Sequence, residues 1–181
     1  MAALPFHHVT VVRTHLEMRE LASLRGARTT FGGLTLTNEQ MDGPRYRGLY
    51  STVGARWHWR DRLLLGEEVL ATHLASPYVH IWVLQAGPQV AGYFELQHHE
   101  DGRVEIMYFG LVPEYMGRGI GGWFLTRAVE EAFALGASRV VLHTCTLDAP
   151  AALPNYLARG FVMVREETYV EEIDSATVAT E

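Results

Sequence analysis

The chain has 181 residues, a hydrophobic content of 48%, a charged content of 20% and a formal net charge of −6. That length suits one domain with a core of useful size. The absence of a Lys/Arg-rich block excludes the electrostatic footprint of a nucleic-acid binder. The single cysteine, Cys145, excludes an intrachain disulfide and suits a reducing compartment.

In chain order, Val9–Met18 (VTVVRTHLEM) is β-rich with partial alternation and reads as a first strand. Arg19 to Thr37 is ambiguous, with Gly26, Gly32 and Gly33 marking turns. Residues 45–75 read as helical. Tyr46, Leu49, Tyr50, Val53 and Trp57 recur at three- and four-residue spacing, and Glu67 and Glu68 suit a second helix start. After Pro77 the period changes. Val79–Gln85, a Gly87-Pro88 turn and Val90–His99 form a hairpin, and a further turn leads to Val104–Val112, so an antiparallel meander is expected.

A strong amphipathic helix follows at Trp123–Ala137, with Phe124, Leu125, Ala128, Val129, Ala132 and Phe133 on one face and Gly136 to end it. Arg139–Thr146 is a buried-type strand. A short helix starts near Pro150 with Asp148 as a candidate cap, and residues from Phe161 form a last strand pair or one long strand. The expected layout is one domain over residues 1–172 and a mobile tail over 173–181. The N-terminal MAALPFHH lacks the basic start and apolar run of a signal peptide, and no stretch is apolar enough to span a membrane, so a soluble, cytoplasmic protein is expected.

Between the meander and the strong helix lies GRGIGG, Gly117 to Gly122, which satisfies G-x-G-x-x-G. A dinucleotide fingerprint places its first glycine directly at the end of a parallel strand and an acidic residue about 20 positions on. Here Pro113–Met116 intervene, the preceding strands read as antiparallel, and Asp148 is too far away. A P-loop is excluded because no Gly-Lys-Ser/Thr ends the run. The glycines still let backbone N–H groups approach a phosphate, and the helix start adds its positive dipole end. Arg118 adds charge or points to solvent.

Three adjoining pieces set a context for that loop: VEIMYFGLVP followed by YMGRGIGG, the helix WFLTRAVEEAF, and, after RVVLHTCTLD, the run NYLARGF. Together they resemble the GNAT acetyltransferase superfamily over residues 79–163. The resemblance implies an α/β fold with a mixed, mostly antiparallel sheet flanked by helices. It implies acetyl-CoA as acyl donor, with pantetheine bonding to the backbone of Leu111 and Val112 in a gap between two strands. The amides of Gly117, Arg118, Gly119, Ile120, Gly121 and Gly122 would hold the pyrophosphate. Gly110 is consistent with a bulge that would free the Leu111 amide as an oxyanion donor. Two departures from the family are Met116, where Gln or Arg often opens the loop, and Ala149, where many members carry Asn.

The resemblance also names chemistry. Glu105 sits where the histone acetyltransferase branch carries its glutamate and is the candidate general base; its neighbours Ile106 and Tyr108 form a setting expected to raise its pKa. The plainer alternative is a solvent-facing strand residue. Tyr156 precedes Gly160-Phe161 by the family's spacing and is the candidate acid toward the cofactor sulfur, against the alternative of a core tyrosine. Cys145 and His143 read as sheet residues, and no metal is expected because the nine histidines show no ligand spacing. Glu95 either lines an acceptor cleft or faces water, and Trp57, His58 and Trp59 either wall an acceptor pocket or pack the core. The expected function is N-acetyl transfer to a primary amine, small molecule or peptide, with a homodimer expected only by family analogy. A binding module without catalysis and a nicotinamide-dependent oxidoreductase are the alternatives.

Overall fold

The computed structural model describes residues 6–174. The chain forms a seven-stranded sheet in the order β2-β3-β4-β5-β6-β1-β7. The strands are β1 (Phe6–Met18), β2 (Leu34–Asn38), β3 (Val79–Ala86), β4 (Gln89–His98), β5 (Arg103–Leu111), β6 (Arg139–Cys145) and β7 (Val162–Asp174). The helices are α1 (Gly43–Gly54), α2 (Asp61–Leu64), α3 (Glu67–Leu74), α4 (Ile120–Ala134) and α5 (Ala152–Arg159). Every neighbouring pair of strands is antiparallel except β5 and β6, which run parallel. The expected mixed, mostly antiparallel α/β architecture is the one observed.

Helices cover both faces. On one, α4 lays Phe124, Leu125, Ala128, Val129 and Ala132 against Phe94, Leu96, Ile106 and Leu142 of the sheet. Each fully buried large apolar side chain contributes roughly 1.5–3 kcal/mol. On the other face, α1 and α3 pack Tyr46, Tyr50, Val53, Leu70 and Leu74 onto Val79, Ile81, Val83 and Tyr93. This second cover lies over β3–β5. Beyond it, β6 and β1 carry the polar side chains Arg13, His15 and His143, with His15 and His143 directly opposite each other in register.

Several boundaries differ from expectation for identifiable reasons. The helical stretch 45–75 is broken. A 3-10 turn at Ala55–Trp57 leads into His58 at φ +58°, the left-handed region that stops a helix, and α2 and α3 start afresh. β2 lies in the stretch that gave no clear pattern. Asp148 does not cap α5, which starts from Ala151 without a side-chain cap. Its carboxylate instead accepts from Thr144 Oγ1 at 2.6 Å and from the Cys145 amide at 3.0 Å. β7 is one long strand reaching Asp174, and Ile173 is buried, so the expected tail does not start at residue 173. The rest of that tail, 175–181, lies outside the described residues.

Candidate active site

The parallel contact between β5 and β6 is short. It comprises Arg103↔Arg139, Val104↔Val140 and Glu105↔Val141, after which β5 runs on to Leu111 and β6 to Cys145 without pairing to each other. Two neighbouring strands therefore part into a wedge. β5 remains paired to β4 on its other side, but with a register shift: Ile106 faces Leu96 and Tyr108 faces Glu95, leaving Met107 as the extra residue. The bulge expected at Gly110 thus sits at Met107, where it bends β5 away from β6.

Gly110 has a different reason to be glycine. A Cβ there would lie 2.5 Å from Val53 Cγ1 and 3.5 Å from Trp59 Cη2, so α1 and the following turn approach the strand too closely for a side chain. The bonding pattern nonetheless frees the Leu111 amide. Val112 donates its N–H to the Ala91 carbonyl at 2.9 Å, and Leu111 faces Gly92 in register. Antiparallel ladders alternate, so the Leu111 N–H points away from β4, into the wedge. Val112 is committed at both ends: its carbonyl also accepts from the Tyr115 amide at 3.0 Å.

The wedge opens into a cleft of about 700 Å³. One end is floored by the glycine loop. Gly117 and Gly119 adopt φ of +69° and +77°, and Gly119 leads directly into α4. Among the described residues the amides of Gly117, Arg118 and Gly119 have no hydrogen-bond acceptor. Those of Ile120, Gly121 and Gly122 belong to the first helical turn, which has no intrahelical acceptor. A Cβ on Gly122 would collide with Arg159 Nη1, so the missing side chain seats that guanidinium beside the loop. The Arg118 side chain is exposed and turns onto the Tyr115 ring, 5.4 Å from its centroid, and the Ile120 side chain is in the core. Only their amides face the loop's concavity. Asn155, which the sequence did not single out, donates Nδ2 to the Gly121 carbonyl at 3.2 Å and lines the cleft. Its place one residue before Tyr156 was the available signal.

Tyr156 lines the middle of the cleft from α5, packed against Phe109 and Phe161 at centroid distances of 6.3 and 6.2 Å. Burial, reinforced by the nearby Asp148 carboxylate, holds its phenol well above the ordinary value. It is a neutral O–H at any working pH. A C-terminal cap fixes it: Gly160, at φ +104°, lets the Phe161 amide reach the Tyr156 carbonyl at 3.2 Å and its own amide reach the Leu157 carbonyl at 3.1 Å.

Glu105 is placed otherwise than expected. It sits in the last paired rung, and the lining of the cleft begins at Ile106. Its carboxylate contacts His99 Nε2 at 3.0 Å and His143 Nδ1 at 3.6 Å. Burial alone would raise its pKa, but pairing with His143 and His99 outweighs that, so the expected upward shift is replaced by a downward one. His143, read from sequence as a satisfied sheet residue, is exposed on the part of β6 that no longer pairs with β5 and lines the cleft. Cys145 also lines the cleft and is half-buried; burial and then the Asp148 charge raise its thiol, which keeps it a poor nucleophile.

The far mouth carries Trp57, His58, Trp59, Arg60 and Asp61, with Glu171 of β7 opposite, bonded to Arg60 at 2.8 Å. Trp59 also packs against Tyr50 and Tyr108 at 5.6 and 5.1 Å, the core-packing alternative read from sequence. Glu95 does neither thing expected of it. It is fully buried and accepts from Tyr46, from Arg62 at 2.7 Å and from His73 at 2.8 Å.

Known proteins share this fold. Residues 44–161 match the family model described as the acetyltransferase (GNAT) family. No curated protein matches the chain. Among solved structures, a GCN5-related N-acetyltransferase-like protein from Streptococcus suis is similar with a TM-score of 0.62 and 12% identity, over 93% of this chain and 63% of that one. A GCN5-related N-acetyltransferase from Kribbella flavida is similar with a TM-score of 0.59 and 15% identity, over 94% and 60%. An aminoglycoside acetyltransferase, meta-AAC0020, from an uncultured soil metagenomic sample is similar with a TM-score of 0.57 and 16% identity, over 70% and 87%. The chain thus spans about three fifths of the length of the first two, and at these identities the likeness is one of fold.

Proposed function

Because the chain belongs to the acetyltransferase (GNAT) family, for which acyl transfer is the reaction class, we propose that it moves an acetyl group from acetyl-CoA to a primary amine by direct attack. The observation that carries this is the wedge between β5 and β6, with the Leu111 N–H turned into it and the glycine loop at one end. An extended pantetheine chain fits such a gap as an added strand would. The unpaired amides of Gly117–Gly122, the absence of Cβ groups along most of them and the neighbouring Arg159 guanidinium suit a pyrophosphate. Val112, whose amide and carbonyl are both engaged within the protein, serves by holding Leu111 in place.

When bound, the thioester supplies an electrophilic carbonyl carbon and a sulfur leaving group. The chain's own groups supply the rest. The Leu111 amide is positioned as donor to the carbonyl oxygen as negative charge builds there. The neutral Tyr156 hydroxyl is the proton donor for the departing sulfur. The apolar lining from Ile106, Phe109 and Leu147 limits water in the cleft. The aromatic and acidic far mouth, Trp57 with Asp61 and Glu171, is the acceptor's entry. The proposal includes action in the cytoplasm; no helix among the described residues is long and apolar enough to cross a membrane.

Calorimetric titration with acetyl-CoA and with CoA, followed by a thiol-release screen of amine acceptors, tests the proposal. Micromolar binding of the donor and release of thiol only when an amine is present are expected. Failure of both forms of the carrier to bind at high micromolar concentration would overturn it.

A further inference from the structure

The wedge holds a titratable group that the reading so far leaves without a task. His143 stands on β6 beyond Val141, the last residue paired to β5, and its ring lines the cleft where the strands have parted. Behind it, on the closed side of the wedge, is Glu105. The His143 Nδ1 is 3.6 Å from Glu105 Oε1, and Glu105 Oε2 is 3.0 Å from His99 Nε2. The carboxylate is thus screened from the cleft by the imidazole. The ring turns Nδ1 toward the carboxylate, which leaves Nε2 for the cleft.

Other groups face His143 from each element around it. His15 of β1 lies opposite in register, with ring centroids 5.8 Å apart. Its own Nε2 is engaged by Glu167 Oε1 at 2.9 Å and by Arg165 at 3.1 Å. Farther along the same face, Cys145 is in register with Arg13, which bonds the Tyr169 hydroxyl at 3.1 Å. Each of these has a partner or a raised pKa, and Asp148 is spent on Thr144 and the Cys145 amide. His143 alone among them combines a free ring nitrogen with a place in the wedge.

Resting on the acyl-transfer reading, we propose that His143 is the catalytic base that takes the proton from the acceptor amine, and that Glu105 is the positioning residue that holds its ring. The acceptor enters as an ammonium ion and loses two protons overall. His143 takes the first and passes it to solvent. The freed nitrogen lone pair forms the C–N bond as the C–S bond breaks and its electron pair goes to sulfur. Tyr156 protonates the sulfur, and the second proton from the nitrogen restores the phenol. The products are the amide, the free thiol and one released proton. Glu105, with its carboxyl held below the ordinary range, is a weak base and stays ionised beside the ring.

The test uses the full chain with saturating acetyl-CoA and three acceptor probes, butylamine, tryptamine and spermidine, read by thiol release. His143→Gln is expected to lower kcat/KM about 100-fold or more, with acetyl-CoA affinity by calorimetry and the thermal midpoint unchanged. Free imidazole is expected to restore part of the activity of His143→Ala. Glu105→Gln is expected to lower kcat/KM about tenfold when His143 is present and to add no further loss in the His143→Gln background, because it acts through that ring. A purely structural Glu105 would lower the rate by the same factor in both backgrounds. Wild-type turnover by His143→Gln, or no rescue of His143→Ala together with equal losses from Glu105→Gln in both backgrounds, overturns the proposal while leaving acyl transfer intact. A wild-type chain that fails to bind acetyl-CoA, or binds it and acetylates none of the probes, counts against both.

Discussion

Glu105 faces Val141 across the last paired rung of β5 and β6, and the site begins one residue beyond it. Up to that rung the strands close the sheet; past it, the extra residue Met107 bends β5 toward β4 and turns its edge amides to open space. A single inserted residue thus separates the structural half of the strand from the half that can take a ligand.

Tyr156→Phe tests the proposed proton transfer to the leaving sulfur. The ring keeps its packing against Phe109 and Phe161, so acetyl-CoA affinity and folding stability are expected to stay within about twofold and ~0.5 kcal/mol. Turnover with a saturating acceptor is expected to fall by ~100-fold. Because burial and the Asp148 charge keep the phenol protonated, the wild-type rate should show no alkaline loss from this group below about pH 10, the ordinary tyrosine value. Steady-state kinetics of the pair, run against pH, check both statements, and equal turnover would remove the acid role.

Glu95→Gln tests the buried cluster beneath the cleft. Burial favours the neutral acid, but the His73 hydrogen bond, the Arg62 charge and the Tyr46 hydrogen bond outweigh it and leave the pKa below the ordinary value. A carboxyl whose folded pKa is depressed stabilises the fold fully above its unfolded value, about 4.3 for glutamate, and loses that contribution as pH falls through the folded value. The substitution strips Arg62 of its partner and is expected to cost about 3 kcal/mol at about pH 7. Urea unfolding at a series of pH values should show the gap between the two proteins narrowing in acid; a constant gap would contradict the assignment.

Gly160→Ala and Gly48→Ala form a matched pair. At Gly160, with φ at +104°, a Cβ would collide with the Ser23 carbonyl oxygen, so alanine is expected to cost roughly 3 kcal/mol. The same change should loosen Tyr156, whose carbonyl depends on this cap, and lower turnover in the fraction that stays folded. Gly48 is exposed within α1 with nothing within 4 Å of its Cβ position, so alanine there is expected to stabilise by about 0.5–1 kcal/mol. Denaturant midpoints of the two variants should move in opposite directions.

Strand and helix periods made most of this fold legible. The meander β3–β5 follows from apolar runs bounded by turn residues, with β4 buried on both faces, and the helix α4 follows from its Phe124/Ala128/Ala132 face. β2 carried no such signal: it is a five-residue edge strand whose burial does not alternate. The break at His58 was hidden because a histidine, rather than a glycine, takes the left-handed conformation. In the site, the glycine loop, Leu111 and Tyr156 were marked by local motifs. The bulge at Met107 was not, since a bulge is a property of the pairing between two strands. For the same reason no local pattern announces that Glu105 meets His143, on a strand joined to its own by the long crossover through α4. Nor does one announce that Glu95 is enclosed by Tyr46, Arg62 and His73.

The most direct test of the wedge is amide hydrogen exchange at two adjacent residues, with and without CoA. Val112 donates to Ala91 and should be protected in both states. The Leu111 amide, open to the gap, should exchange readily in the free protein and become at least about tenfold slower when CoA binds. Equal protection of Leu111 in the free and CoA-saturated protein would mean that nothing docks along the parted edge of β5.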